Sequence, residues 1–103
     1  MKPSTALTLA KQGNPSAIAQ VLNERLSKKG VIAQVTRNEQ NICITIEAAY
    51  VPQRTILLPL LWRTLKALDT NAIQNATIRA KRFHGAHVAW FEELPLSHSK
   101  QSS

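Results

Sequence analysis

The residues that could do chemistry gather in one stretch, Ile78–Trp90, which reads IRAKRFHGAHVAW. It holds two of the chain's three histidines, His84 and His87, with a glycine between them. A metal site needs about three or four converging ligands, but Cys43 and His98 stand in distant segments. The glycine indicates a turn, so we expect solvated turn histidines, no metal ion and no cofactor.

Catalytic pairs are equally hard to assemble from this sequence. Glu92 and Glu93 are adjacent, so in a strand their carboxylates point to opposite faces and cannot share a substrate. Cys43 falls within an alternating strand pattern with no general base evident. The chain also lacks a phosphate-binding loop, a dinucleotide-binding glycine motif and a nucleophile elbow. The sequence therefore predicts a protein that is not an enzyme and has no small-molecule substrate.

The same stretch predicts a binding surface. The chain has 13 Lys and Arg against six Asp and Glu, a net charge of +7, which favours a polyanion or an acidic protein as partner. An alternating strand places Arg79 and Lys81 outward. Of the two adjacent aromatics that follow, we expect one to close the core and one to be an exposed anchor. The candidate binding residues are Arg37, Arg79, Lys81, Arg82, Trp90 and Phe91, with Arg37 on the same outer sheet face as Arg79 and Lys81.

The elements that position these residues follow from caps and periodicity. Asn14-Pro15 predicts a helix start, with an apolar stripe to about residue 29 and Gly30 as its stop. Alternating runs at 31–37 and 42–48 predict a β-hairpin around a four-residue turn. A second helix should run over about 52–69, kinked or delayed at Pro59. A strand lies within 73–83, and 87–94 is a final strand or an extended arm.

This order predicts an α+β fold, a two-layer sandwich of two helices on an antiparallel sheet. If residues 5–10 form a strand, the order is βαββαβ, the ferredoxin-like arrangement; otherwise it is an αββαβ variant. RNA-recognition motifs stack bases on strand aromatics, and ICITIEA has none. KH domains need a G-x-x-G loop, which is also missing. We expect one domain over residues 1–94 and a flexible polar tail over 95–103.

The composition of the chain predicts the cellular compartment in which it resides. Its longest apolar run, Ile56–Trp62, is far shorter than the ~18 residues that cross a bilayer, so no membrane span is expected. The first residues lack the apolar core of a secretory signal. One cysteine, Cys43, excludes an internal disulfide and fits a reducing compartment. The expected location is the cytoplasm.

Three segments carry a resemblance to a known family: LAKQGNPSAIAQVLNERLSKKGVIAQV, ICITIEAAYVPQ and IRAKRFHGAHVAWFEEL. Together they look like a small domain of unknown function found in cyanobacterial proteins, over about residues 9–94. The family's last segment typically has a basic strand, a Gly-containing turn and an aromatic-acidic ending. The resemblance implies a discrete module and no activity.

These observations lead to one functional hypothesis and one alternative. The chain is expected to be a non-enzymatic protein–protein interaction module, whose partner is another protein or a second copy paired through an exposed strand edge. The alternative is sequence-tolerant binding of RNA or DNA through a basic sheet face.

Overall fold

The computed structural model describes residues 8–68 and 72–96. Among these residues, two long helices and four strands form two layers around one core, and residues 8–11 add a short helical segment. In chain order they are helix α1 (Pro15–Leu26), strands β1 (Val31–Asn38) and β2 (Asn41–Ala48), helix α2 (Arg54–Leu68), and strands β3 (Asn75–Arg82) and β4 (Trp90–Pro95). Within those ranges, neither helix has the length and apolar character that crossing a membrane requires.

Helix α1 starts and stops where the sequence predicts. The side-chain oxygen of Asn14 accepts a hydrogen bond from the Ala17 N–H at 3.0 Å, and Pro15 occupies the first turn, where its missing N–H costs nothing. A 3₁₀ turn, Ser27–Lys29, extends the helix. Gly30 then ends it with a φ of 73°, a left-handed conformation that glycine adopts without strain.

The predicted β-hairpin is confirmed. Strands β1 and β2 are antiparallel, from Val31 opposite Ala48 to Asn38 opposite Asn41. The turn between them has two residues rather than the expected four, and its first, Glu39, has a φ of 58°. Tight two-residue hairpin turns commonly need a positive φ. Because the turn is short, each strand is one residue longer than the alternation predicts.

The sheet is mixed rather than wholly antiparallel. Its order is β1-β2-β3-β4, with β2 and β3 parallel and the two outer pairs antiparallel. Helix α2 returns the chain to the starting end of β2 before β3 begins, and such a crossover makes neighbouring strands parallel. The fold is therefore α+β, with helices on a four-stranded mixed sheet, and the expectation of an antiparallel sheet was wrong at this one pairing.

The ferredoxin-like layout is not confirmed. Residues 8–11 are helical, so the expected strand at 5–10 is absent from the part described, and 5–7 lie outside it. The last strand does form, as β4. The predicted tail begins too early, because Pro95 belongs to β4 and Leu96 is buried, its N–H donating to the Gln74 carbonyl at 2.6 Å.

The core lies between the helices and one face of the sheet. Helix α2 begins at Arg54 and continues through Pro59, so the expected late start is wrong. The buried sheet residues alternate along each strand, as the sequence indicates. They are Val31, Ala33, Ile42, Ile44, Ile46, Ala48, Ala76, Ile78, Ala80 and Leu94. Among the described residues, no helix packs on the opposite, outer face of the sheet.

Candidate functional site

The outer sheet face brings together three of the six predicted binding residues. Arg79 is exposed and lies in register between Thr45 of β2 and Phe91 of β4. Phe91 is 55% exposed. Lys81 lies one step further along β3, opposite Glu47. The predicted outward orientation of Arg79 and Lys81 is confirmed.

This face is not a positive surface. The Lys81 ammonium lies 3.6 Å from a carboxylate oxygen of Glu47. Glu93 shares the face, in register with Thr77. Among the described strands, the outward charged residues are thus two cations, Arg79 and Lys81, and two anions, Glu47 and Glu93. Their formal charges cancel, which removes the strong field that phosphate binding would use.

Arg37 does not lie with the other predicted residues. It follows Val31, Ala33 and Val35 in alternation, so its side chain leaves the sheet on the helix side. Its guanidinium donates to the Gly13 carbonyl at 3.0 Å and to the Glu39 carbonyl at 2.6 Å. The expectation that Arg37 shares the outer face is wrong. It ties the segment before α1 to the hairpin turn.

As the sequence predicts, one of the two adjacent aromatic residues, Trp90, packs against the core and the other, Phe91, is exposed. Trp90 is half-buried against the core, and its indole N–H donates to the Pro52 carbonyl at 2.7 Å. Phe91 points to the outer face. Arg82 is the exposed last residue of β3 and begins the turn that contains His84 and His87. Two of the six residues, Arg37 and Trp90, therefore have structural contacts instead of a free surface.

The candidate ligating groups do not converge. Within residues 8–68 and 72–96, no group of three or more His, Cys, Asp or Glu could hold a metal ion. His84 and His87 are exposed in the β3–β4 turn. Cys43 is a free, half-buried thiol in the middle of β2, on the outer face.

One end of the molecule carries an exposed apolar surface that was not predicted from the sequence. Tyr50 is 84% exposed, and Val51 and Ile56 are each 49% exposed. The Phe83 N–H donates to the Ala48 carbonyl at 2.8 Å, which brings the β3–β4 turn, with its exposed Val88, to the same end. We call the surface formed by Tyr50, Val51 and Ile56 the apolar end.

A cleft of about 480 Å³ opens at the apolar end. Of the described residues, Lys29 is the single charged one that lines it, and no acidic one does. The other lining residues are Gly30, Val31, Ala48, Ala49, Tyr50, Val51, Pro52, Gln53, Ile56 and Leu57. A signal existed in the sequence, since AAYV carries apolar residues beyond the point where the strand alternation stops.

Comparison of the chain with protein-family models, curated proteins and solved structures finds no match. The resemblance to a cyanobacterial domain family therefore stays a prediction. What the fold and the surfaces define is an α+β domain with a charge-balanced open sheet face and an exposed apolar end.

Proposed function

We propose that the chain is a cytoplasmic, non-enzymatic protein–protein interaction module that docks through the apolar end. The observation that carries the proposal is the exposure of Tyr50, Val51 and Ile56 around one cleft. Clustered apolar side chains of this kind mark interaction sites on folded proteins, because water leaves them when a partner binds. Exposed aromatic residues such as Tyr50 are frequent binding anchors.

The charges around the cleft favour an acidic partner. Lys29 lines the cleft, and Lys28 precedes it in the 3₁₀ turn Ser27–Lys29. Arg82 pairs with Ala48 at the same end. A partner surface that places carboxylates around an apolar anchor would complement this arrangement and associate faster for it. A second copy fits less well, because each chain carries a net charge of +7.

Affinity capture with matched variants tests this function. The Tyr50→Ser/Val51→Ser double variant removes the centre of the apolar end, whereas Leu9→Ser removes a 39% exposed apolar side chain elsewhere. Extracts of the source cells are passed over each immobilised protein. We expect the wild type and Leu9→Ser to retain the same proteins, and the double variant to lose them.

Two results would contradict the proposal. One is equal retention by the double variant and the wild type. The other is a wild-type chain that retains nothing and sediments as a monomer at every concentration. A concentration-dependent dimer that the double variant abolishes would instead identify the partner as a second copy.

Nucleic-acid binding through Arg37, Arg79, Lys81 and Arg82 stays the alternative. Its support is the net charge of +7. The balanced outer face and the inward Arg37 disfavour it, because phosphate contacts need converging free cations.

A further inference from the structure

The two edges of the sheet differ in how their main-chain groups are satisfied. At the β1 edge, the Asn23 side chain from α1 bonds both polar groups of Ala33. Its amide nitrogen donates to the Ala33 carbonyl at 3.0 Å, and the Ala33 N–H donates to the Asn23 oxygen at 2.7 Å. A primary amide offers a donor and an acceptor, as a peptide group does. Asn23 thus occupies this edge as a neighbouring strand would.

Among the described residues, no side chain covers the β4 edge in this way. The Leu96 N–H donates to the Gln74 carbonyl at the end of the β3–β4 ladder, and antiparallel pairing alternates from there. The main-chain groups of Glu92 and Leu94 therefore face β3, and those of Phe91 and Glu93 face away. Among the described residues, none bonds the outward groups of Phe91 and Glu93.

An apolar groove runs beside the open edge, between β4 and α2. Its volume is about 440 Å³. The Trp90–Pro52 hydrogen bond and the Arg54–Glu92 ion pair hold β4 and α2 together at one end of it. The groove is lined by Arg54, Thr55, Leu58, Pro59, Trp62 and Leu94. An extended segment laid on the edge would place every second side chain over this groove.

We propose that the β4 edge binds an extended segment of another protein by β-strand addition. The main chain of the segment pairs with Phe91 and Glu93, and an apolar side chain opposite Leu94 enters the groove over Leu58 and Trp62. Strand addition of this kind takes its affinity from main-chain bonds and its specificity from the side-chain pockets. The site is distinct from the apolar end and does not depend on it.

The charges beside the groove favour an acidic segment. Glu92 already pairs with Arg54, but Arg63 and Lys66 further along helix α2 have no acidic residue on that helix. The Lys66 ammonium lies 5.3 Å from the centroid of the ring of Trp62, which lines the groove. Carboxylates an even number of positions from the apolar anchor share its face in an extended segment and would meet these cations, whereas a second copy would bring another +7 of net charge.

Peptides that carry the stated pattern test the site. The series is acetyl-Asp-Thr-Φ-Thr-Val-Thr-Asp-amide, with Φ as Val, Ile, Leu or Phe opposite Leu94 in an antiparallel pairing, so that both Asp side chains share the face of Φ. Amide hydrogen exchange of the full chain is followed by NMR as each peptide is added. We expect at least one peptide to slow the exchange of Phe91 and Glu93. Methylating the main-chain nitrogen of the Thr opposite Glu93 should weaken that peptide about five- to tenfold, because one ladder bond is lost.

Matched variants of α2 test the groove. Pro59 is exposed and lines it, so Pro59→Glu puts a carboxylate against the acidic segment while removing a helix-interior proline. Ala67→Glu adds the same charge to the same helix outside the groove lining. We expect Pro59→Glu to weaken binding roughly fivefold and Ala67→Glu to leave it within twofold.

Three outcomes overturn the inference. The first is that no peptide of the series slows Phe91 and Glu93. The second is that the N-methylated peptide binds as tightly as its parent. The third is that the chain without peptide already protects these amides by pairing with a second copy, seen as a dimer in sedimentation. Loss of binding at the apolar end would change none of these three results, so each of the two proposed sites can be disproved without the other.

Discussion

Asn23 shows how a single polar side chain can decide which edge of a sheet is available. By its position in the α1 pattern it belongs to the polar face of the helix, and the expectation from sequence is contact with water. The structure places its amide on the main chain of Ala33 instead. An amide held between a helix and a strand edge stabilises both and blocks unwanted strand pairing.

Replacing Asn23 by alanine should therefore have two effects. Two hydrogen bonds to partly buried main-chain groups are lost, so we expect the free energy of unfolding to fall by about 1–3 kcal/mol. The β1 edge also becomes open, so aggregation should rise. Urea denaturation and light scattering measure the two effects, with the exposed Gln20→Ala of the same helix as control. Equal behaviour of the two variants would show that the Asn23 bonds contribute nothing.

Arg37 and Arg79 should differ in how much their side chains contribute to the free energy of unfolding. The Arg37 guanidinium joins the Gly13 and Glu39 carbonyls, so Arg37→Ala should lower the free energy of unfolding by about 1 kcal/mol. Arg79 is exposed, and no ion pair or hydrogen bond of its side chain is seen among the described residues. We expect Arg79→Ala to stay within about 0.5 kcal/mol of the wild type. A larger loss for Arg79→Ala than for Arg37→Ala in urea denaturation would reverse these assignments.

At the scale of the elements, the two edge strands should differ in hydrogen exchange. The Ala33 N–H is bonded to Asn23, whereas no described residue bonds the outward N–H groups of Phe91 and Glu93. Exchange in the free protein should therefore be slow at Ala33 and fast at Phe91 and Glu93. The amides of Glu92 and Leu94 face β3, so their exchange should be slow. NMR-detected exchange resolves each amide. Slow exchange at Phe91 and Glu93 in a monomer would mean that the β4 edge is covered.

The elements that the sequence predicts well are those specified by neighbouring residues. The start of α1 depends on Asn14 and Pro15, and its end depends on Gly30. The hairpin depends on two alternating runs and a short polar turn. Each of these signals acts within a few residues, so it can be read without knowing the rest of the fold.

The features that escaped prediction depend on distant segments. Alternation shows that 42–48 and 75–82 are strands, but it does not show that they are parallel neighbours. The open β4 edge, its groove and the apolar end all require the order of the strands in the sheet. Arg37 is a different case, because the period of two from Val31 already places it on the inner face. Its assignment to the outer face was an error of register that the sequence itself could have corrected.

At the scale of the whole molecule, the net charge of +7 is distributed rather than concentrated. Arg25, Lys28 and Lys29 lie at the end of α1, and Arg63 and Lys66 lie on α2. The outer sheet face, where the sequence predicted a basic surface, is balanced by Glu47 and Glu93. A field of this kind attracts acidic partners from many directions without defining one binding face.

The last prediction concerns nucleic acid and follows from that distribution. Labelled single-stranded and duplex DNA and RNA are titrated with the chain, and fluorescence anisotropy is recorded from roughly 50 to 200 mM salt. We expect weak binding that disappears over this range. Two double reversals carry the same charge change: Arg79→Glu/Lys81→Glu on the sheet and Arg63→Glu/Lys66→Glu on α2. Because the charge is distributed, both should reduce binding equally. A much larger loss for the sheet variant, with binding that persists at the higher salt, would establish the outer face as a nucleic-acid site and displace the protein-interaction function.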